Sequence, residues 1–338
     1  MKDFFNLQYY HWKRNNWLVD PNTWLSHFKK PEINKPIFFV GNQGDGITFI
    51  SRIIRRHNQI VNITGNNNYW TGADEMQGVM ALRLPRTLVK SGKWVHKDPP
   101  HPKFFTPRVY SYASDDLVDK YRYTEKDYTP EASKKLKTII GEALYRFGRN
   151  KKNARFVDKS QSYGLKMKYV EALLAPSEPY FVLISREPIA AIYRQASTLG
   201  GGDMRRYKDI MDFDERLEVC IQHWCNKMST ALKDGKELKH FTKFKFEDFL
   251  VDTEKYAKQL CEFLELDYNP ELIPQPHHKI PFGTRFTKRW YPVRLNVNDK
   301  YYKEIPVEVR DKIYDRCAAI ALELGYEYKD KMPVSISK

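Results

Sequence analysis

Three short stretches of this chain carry residue types whose spacing points to chemistry. The first is residues 36–57, where an apolar run from Ile37 to Val40 meets a glycine-rich turn and then a helical apolar pattern starting at Ile47. Strand, glycine loop and helix in that order hold a phosphate on backbone N–H groups at a helix N-terminus. The candidate cradle is Gly41, Asn42, Gln43, Gly44, Asp45, Gly46, Ile47 and Thr48. The spacing from Gly41 to Gly46 and on to Thr48 is that of a nucleoside-triphosphate loop, but Ile47 stands where that motif needs lysine. An ATPase or an ordinary kinase loses its main support, and the expected ligand is a nucleotide with a shorter terminal anion.

The second stretch, Phe156-Val157-Asp158-Lys159-Ser160-Gln161, places a lysine and a hydroxyl just past a predicted strand. Ligands of open α/β sheets bind beyond the carboxyl ends of the strands. Taken alone, a surface turn is the commoner meaning of so short a match. The third, Leu183-Ile184-Ser185-Arg186-Glu187-Pro188, sets Arg186 between the most apolar strand and a helix. Arginine there can grip a phosphate through two parallel bonds. The plainer alternative is a helix-capping ion pair with Glu187.

The elements that must position these residues follow from periodicity and punctuation. Strands are expected at 36–40, 59–64, 155–158, 180–184 and 241–246. Helices are expected at 47–57, 131–147, 163–174 (stopping at Ala175-Pro176) and 188–197, the last with Pro188 in its first turn. Leu217, Ile221, Trp224 and Met228 share one face of a further helix, and Tyr256, Leu260, Phe263 and Leu264 mark another. A last helix, 306–324, opens at Pro306 and closes at Gly325. Strands alternating with helices imply an α/β fold, a mainly parallel sheet covered on both faces. Residues 1–34 read as an extension that packs Trp12, Trp17 and Trp24 onto the core. Residues 35–330 form the main domain, with a loop-rich acceptor or lid region at about 85–129, and residues 331–338 a tail.

The formal net charge of +15 favours anionic partners, although most of the basic residues are spread along the chain as solvated faces. The four cysteines, Cys220, Cys225, Cys261 and Cys317, have no metal-like spacing, and three fall in apolar helical patterns, as expected of thiols in a reducing compartment. His277-His278 sits in a proline-flanked loop, and adjacent histidines chelate poorly, so no metal is expected. No apolar run reaches the ~20 residues of a membrane span, and residues 1–20 lack the uninterrupted apolar segment of a signal peptide. The expected location is the cytoplasm.

In order, these pieces resemble the sulfotransferase family that uses 3′-phosphoadenosine 5′-phosphosulfate (PAPS). That family opens with strand, loop and helix of the form Pro-Ile-Phe-(Ile/Val)-Val-Gly-x-Pro-(Arg/Lys)-Ser-Gly-Thr-Thr. Residues 36–48 are similar to it at both outer glycines and at Thr48. Lys159-Ser160-Gln161 resembles its Lys-(Ser/Thr)-x element, and Arg186-Glu187-Pro188 its Arg-x-Pro element, where the 3′-phosphate binds. The run from Phe246 to Asp252 and the helix around Leu260 resemble its Tyr-Glu-Asp-Leu strand exit and following helix. Lys288-Arg289-Trp290 resembles the late basic-aromatic loop that closes over the cofactor. The resemblance spans about 36–326. It implies a three-layer fold like that of the P-loop nucleotide hydrolases, PAPS as donor, adenosine 3′,5′-bisphosphate as product, and a small-molecule or glycan acceptor rather than nucleic acid.

The departures are specific. The family's loop Arg/Lys is Gly44 here and its serine is Asp45, so a cation is missing and an acid sits beside the anion's place. The serine expected eight residues after the phosphate arginine is Arg194, two turns along the helix, which can substitute as a phosphate ligand, with Ser197 as the fallback. Gln161 stands where cytosolic members carry a histidine base, and the Asn66–Asn68 turn where other branches place a glutamate. Sulfuryl transfer needs charge stabilisation at the departing phosphate and a base for the acceptor proton. Lys159 can supply the cation that Gly44 cannot. Glu75 or Asp74 is the base candidate ahead of His96 and His101, although an acid in a helix first turn ordinarily serves the helix dipole. The expected function is sulfuryl transfer to a hydroxyl or amine, with a saccharide as one acceptor, since the tyrosine-rich segment 100–130 offers rings that stack on sugar faces. The two alternatives are a catalytically silent relative that binds the bisphosphate or a polyanion, and a kinase-like nucleotide enzyme.

Overall fold

The computed structural model describes residues 31–64, 75–81, 83–89, 112–197, 204, 208–209, 211–276 and 292–334. In chain order the strands are β1 (Ile37–Gly41), β2 (Ile60–Asn62), β3 (Arg155–Asp158), β4 (Tyr180–Ser185) and β5 (Phe241–Lys245), with a small pair, β6 (Tyr328–Lys329) and β7 (Met332–Pro333). The helices are α1 (Ile47–Arg55), α2 (Met76–Val79), α3 (Val118–Tyr121), α4 (Pro130–Gly148), α5 (Met167–Leu174), α6 (Pro188–Ala196), α7 (Phe213–Gly235), α8 (Phe246–Val251), α9 (Thr253–Phe263), α10 (Asp299–Glu304) and α11 (Val307–Glu323). Among the described residues, no helix is long and apolar enough to cross a membrane.

The main sheet has the order β2-β3-β1-β4-β5, and every neighbouring pair is parallel. Its two faces are read directly from the alternation of the strands. Phe38, Val40, Phe156, Phe181 and Leu183 point into the larger core, under α4 to α7 and α11. Ile37, Phe39, Val157, Val182 and Ile184 point into the smaller core, under α1, α8 and α9. Both faces are dry, which is why these strands read as continuous apolar runs, not as alternating ones. Each such side chain contributes about 1.5–3 kcal/mol by leaving water. The order reverses between β1 and β4, whose chains leave toward opposite layers. That edge, beyond Gly41 and Ser185, is where a doubly wound sheet opens a crevice.

Local signals place the helices. Thr129 caps α4 by accepting from Ala132 N at 3.2 Å, with Pro130 in the first turn. Asp212 and Glu215 form a reciprocal capping box at the start of α7. Pro306 caps α11 and does not enter it, and Gly325 follows the helix at φ 92°. Several expected elements end a residue or two early, and two are cut well short. The strand expected at 59–64 ends at Asn62, because its side-chain oxygen takes the Thr64 N–H at 3.0 Å and turns the chain. The helix expected at 163–174 breaks into a tight 3-10 stretch, Gln161–Leu165, and α5, because Lys166 leaves helical geometry and its Nζ donates to Thr87 O at 2.6 Å. Residues 1–30 of the expected extension and residues 90–111 of the expected lid lie outside the described residues.

The phosphate-type loop is held against α8 at its last glycine. Gly46 has φ 80°, and a Cβ added there would lie 2.0 Å from the Phe246 ring. Gly46→Ala is therefore expected to cost about 2–5 kcal/mol, from left-handed strain plus overpacking. The measurement is the denaturant midpoint of the folded protein; an unchanged midpoint contradicts this account of the turn.

Candidate functional site

The loop from Gly41 to Thr48 joins β1 to α1, as its sequence pattern requires. Gly41 has φ 150° and meets Ile184 O so closely that a Cβ would be 2.2 Å from it, which locks the loop to β4. Ile47 is 3% exposed and belongs to the core under α1, so the position that carries lysine in triphosphate loops faces away from any ligand. The loop's carbonyls are taken by side chains from three other elements. Lys227 Nζ donates to Gly41 O at 2.5 Å, Gln195 Nε2 to Gln43 O at 2.7 Å, and Arg186 Nη1 to Gly44 O at 3.1 Å. Asp45 accepts the Asn42 N–H at 2.9 Å and is fully buried. Asp45 Oδ1, both polar atoms of the Asn42 amide and Gln43 Oε1 are buried without a hydrogen-bond partner. Orphaned polar atoms at a phosphate-type loop mark a place suited to a polar ligand.

Arg194 projects from α6 onto this loop. A Cβ built on Gly44 would meet Arg194 Nη1 at 2.5 Å and Gln195 Nε2 at 3.1 Å. The space into which a loop side chain would project is therefore filled by a guanidinium from the neighbouring helix. Ser197, the fallback, donates its hydroxyl to Tyr193 O at 2.5 Å and serves the helix end.

Arg186 lies past β4, as expected, and is 5% exposed. Its Nε and Nη2 both donate to Asn298 Oδ1, at 2.8 and 2.6 Å, and the guanidinium stands over the Phe246 and Tyr301 rings at 5.6 and 5.5 Å. Burial, followed by the charge of Arg194, lowers its pKa from the ordinary arginine value, and Glu247 opposes this. Asn298 is fixed in turn by donating Nδ2 to Glu247 Oε1 at 2.8 Å. Glu247 also accepts from Glu187 N and Tyr326 Oη, each at 3.0 Å. Glu187 caps α6 through Ile189 N and Ala190 N and accepts the hydroxyls of Tyr302 and Tyr328. The cap that sequence reasoning set against a phosphate role thus exists, but Arg186 turns to Asn298 and the loop.

At the end of β3, Lys159 and Glu75 form a buried pair, Nζ to Oε1 at 3.0 Å. Gln77 Nε2 donates to Glu75 Oε2 at 2.8 Å, and Gln77 Oε1 accepts from the Ser162 N–H and hydroxyl. Asp158 anchors the segment by accepting from Met76 N at 2.8 Å and Ser160 N at 3.0 Å; burial pushes its carboxyl up to about 6. The element that presents Glu75 is thereby tied to the strand that presents Lys159. Glu75 is the residue before α2, and its side chain makes no cap hydrogen bond there. Lys159, the expected replacement cation, donates its Nζ to Glu75 Oε1 at the end of β3. A further cation at the loop, besides Arg186 and Arg194, is Lys227, which the sequence reading missed. It is 1% exposed, reaches Gly41 O from α7, meets Tyr112 Oη at 2.8 Å, and passes Gly164 at the turn after Lys159. The signal was there: a lysine beside Met228, one turn after Trp224, on an otherwise apolar helix face. Glu247 and Asn298 were missed as well. Asp74, His96, His101, His277, His278, Lys288, Arg289 and Trp290 lie outside the described residues.

Comparison with known proteins agrees with this architecture. The sequence profile of the sulfotransferase family matches residues 36–270, well over half of the chain. No curated protein matches it in sequence. Among solved structures, the sulfotransferase domain from the curacin biosynthetic pathway is similar with a TM-score of 0.52 and 16% identity, covering 88% of this chain and 100% of that one. The sulfotransferase domain from the Synechococcus PCC 7002 olefin synthase gives a TM-score of 0.49 and 16% identity, over 89% of this chain and 98% of that one. The profile match starts at the strand before the phosphate-type loop and runs past β5 and α9, and on that ground this chain belongs to the sulfotransferase family.

Proposed function

We propose that this protein transfers a sulfuryl group from PAPS to a hydroxyl or amine of a small-molecule or saccharide acceptor, leaving adenosine 3′,5′-bisphosphate. The observation that carries the proposal is the convergence on one loop of Arg186, Arg194 and Lys227, from three separate elements, at the carboxyl edge of a parallel sheet. The residues proposed to hold the nucleotide are the 41–48 loop, Arg186 and Arg194, with Lys288, Arg289 and Trp290 on the strength of the sequence resemblance. PAPS would supply the activated sulfuryl group. The orphaned Asn42 amide and the three cations suit its anionic ends, and the Asp45 carboxyl opposes them.

For the protein's part in the chemistry, Glu75 is the proposed general base, ahead of Asp74. Lys159 and Gln77 hold one oxygen each of the Glu75 carboxylate, which fixes its direction and keeps a positive charge beside it. Lys159 and the loop N–H groups would stabilise negative charge at the sheet edge in a dry surrounding, where such stabilisation is strongest. The second reading, a silent relative that binds adenosine bisphosphate, is favoured by Asp45, whose carboxylate already holds a loop N–H.

The test begins with thermal-shift titration against adenosine 3′,5′-bisphosphate, ATP·Mg and AMP. A ligand that binds only the folded state at about 100 times its Kd adds about 2.7 kcal/mol. A rise in Tm with the bisphosphate and none with ATP·Mg is expected; a response to ATP·Mg alone rejects the proposal and favours a kinase-like enzyme. Arg186→Ala is expected to remove the bisphosphate response while circular dichroism shows a retained fold, and an undiminished response ends the assignment of Arg186. Glu75→Gln is expected to lower labelled-sulfate transfer to a panel of glycans and phenols by about 10²–10⁴-fold, with the bisphosphate response unchanged. Absence of transfer by the parent protein across the panel, with bisphosphate binding intact, selects the silent relative.

A further inference from the structure

We propose that Asp45 is the loop's own anion: its carboxylate occupies the cradle that the loop offers a ligand's phosphate, and an incoming phosphate must displace it or find it neutral. The inference rests on the proposal that this loop receives the anionic end of a nucleotide.

Two independent observations carry it. One is the use of a loop donor, the Asn42 N–H, which Asp45 Oδ2 takes at 2.9 Å. The other is the state of the rest of the carboxylate. Asp45 is 0% exposed, yet its Oδ1 has no hydrogen-bond partner, and the adjacent Asn42 amide, 2% exposed, has none at either polar atom. Leaving such groups unpaired costs about 1–3 kcal/mol each, more for a charged one, and the one hydrogen bond Asp45 accepts leaves its Oδ1 and the Asn42 amide unmet. A phosphate placed there would bring acceptor oxygens for Asn42 and further charge for the surrounding cations.

The groups acting on Asp45 come from every side. Burial disfavours its charged form; the Asn42 N–H, Lys227 of α7 and Arg186 past β4 favour it, and Glu247 of α8 opposes it. Burial outweighs them and pushes the acid up to about 7. Below that pH the carboxyl is neutral and competes weakly; above it the carboxylate repels the ligand and holds the Asn42 N–H. Affinity for a phosphate ligand is therefore expected to rise as pH falls from 8 toward 6.5. It levels off near 6, where the ligand's own phosphate takes up a proton. In the unligated fold the sign is the same. A carboxyl raised from 3.8 to about 7 is stable as the neutral form, and its contribution is lost as pH rises through that window.

The experiment is calorimetric titration of the full chain, and of Asp45→Asn and Asp45→Ser, with adenosine 3′,5′-bisphosphate and separately with inorganic pyrophosphate, at pH 6.5 and 8.0. Asp45→Asn keeps the shape and an oxygen for the Asn42 N–H but loses the charge; Asp45→Ser empties the place. At pH 8.0 both variants are expected to bind the bisphosphate at least about tenfold tighter than the parent, a gain of ~1.4 kcal/mol. They are also expected to lose the parent's preference for pH 6.5. Equal affinities in all three proteins with no pH preference in the parent overturn the inference and leave the nucleotide site standing. Pyrophosphate bound by the variants only, with no bisphosphate bound by any, upholds the inference and ends the nucleotide proposal. No anion bound by any of the three ends both. The parent's pH profile decides the matter without a variant, should either substitution fail to fold.

Discussion

A single buried guanidinium ties the two halves of the site together. Arg186 reaches back to the loop through Gly44 O and forward to the C-terminal segment through Asn298 Oδ1 and Val297 O. Burying a cation costs several kcal/mol before compensation, and the cost is met only where acceptors and opposite charge are arranged around it. Here they come from a glycine carbonyl, an asparagine oxygen and, one bond further on, Glu247. Removal of either partner would leave a buried charge or a buried acceptor unmet. The placement of the loop and the placement of residues 297–298 are therefore one constraint, which couples a segment early in the chain to one near its end.

The same geometry explains how a loop without its own cation keeps a cationic surround. Gly44 lacks the side chain that would carry charge at that point, and Arg194 Nη1 fills the space. Arg194 in turn stands where a serine is expected, so the two departures compensate each other, the charge having moved from loop to helix. Lys227 adds a second charge from beneath, through Gly41 O. An arginine delivered by a helix is held by packing along its stem, whereas a loop lysine must be ordered at the cost of rotamer freedom. The exchange preserves the sign of the field at the loop and makes it depend on the docking of α6 and α7.

Much of this was legible in the sequence because it is local. Apolar runs bounded by Gly and Pro gave the five parallel strands, and the glycine spacing gave the loop between β1 and α1. Strand-end position alone pointed to Arg186 and Lys159, since side chains there have nowhere to go but the sheet's edge. What stayed hidden depends on partners far apart in the chain. Lys159 pairs with Glu75, 84 residues away, a partner that its own neighbourhood does not announce, because a lysine at 2% side-chain exposure needs opposite charge beside it. Asn298 sits in a stretch with little periodicity, and nothing in its neighbourhood forecasts Arg186, 112 residues earlier. Lys227 was the most nearly visible of the missed residues, since a charge on an apolar helix face asks for a buried partner.

Glu187, Asp158 and Asp45 are all pushed up by burial, and their hydrogen bonds set them apart. Glu187, raised to about 7, accepts from two backbone N–H groups and two tyrosine hydroxyls, so both of its oxygens are engaged by the frame around it. Asp158, raised to about 6, has each oxygen engaged by a backbone N–H and joins β3 to the segment bearing Glu75. Asp45 shares their burial but has only one oxygen engaged. Desolvation alone would treat the three alike. The first two are built into the frame by donors that match them, and displacing either would undo a helix cap or a turn. Asp45 takes one loop N–H and leaves its other oxygen unengaged, so its removal would undo neither a helix cap nor the junction of a strand with its neighbour.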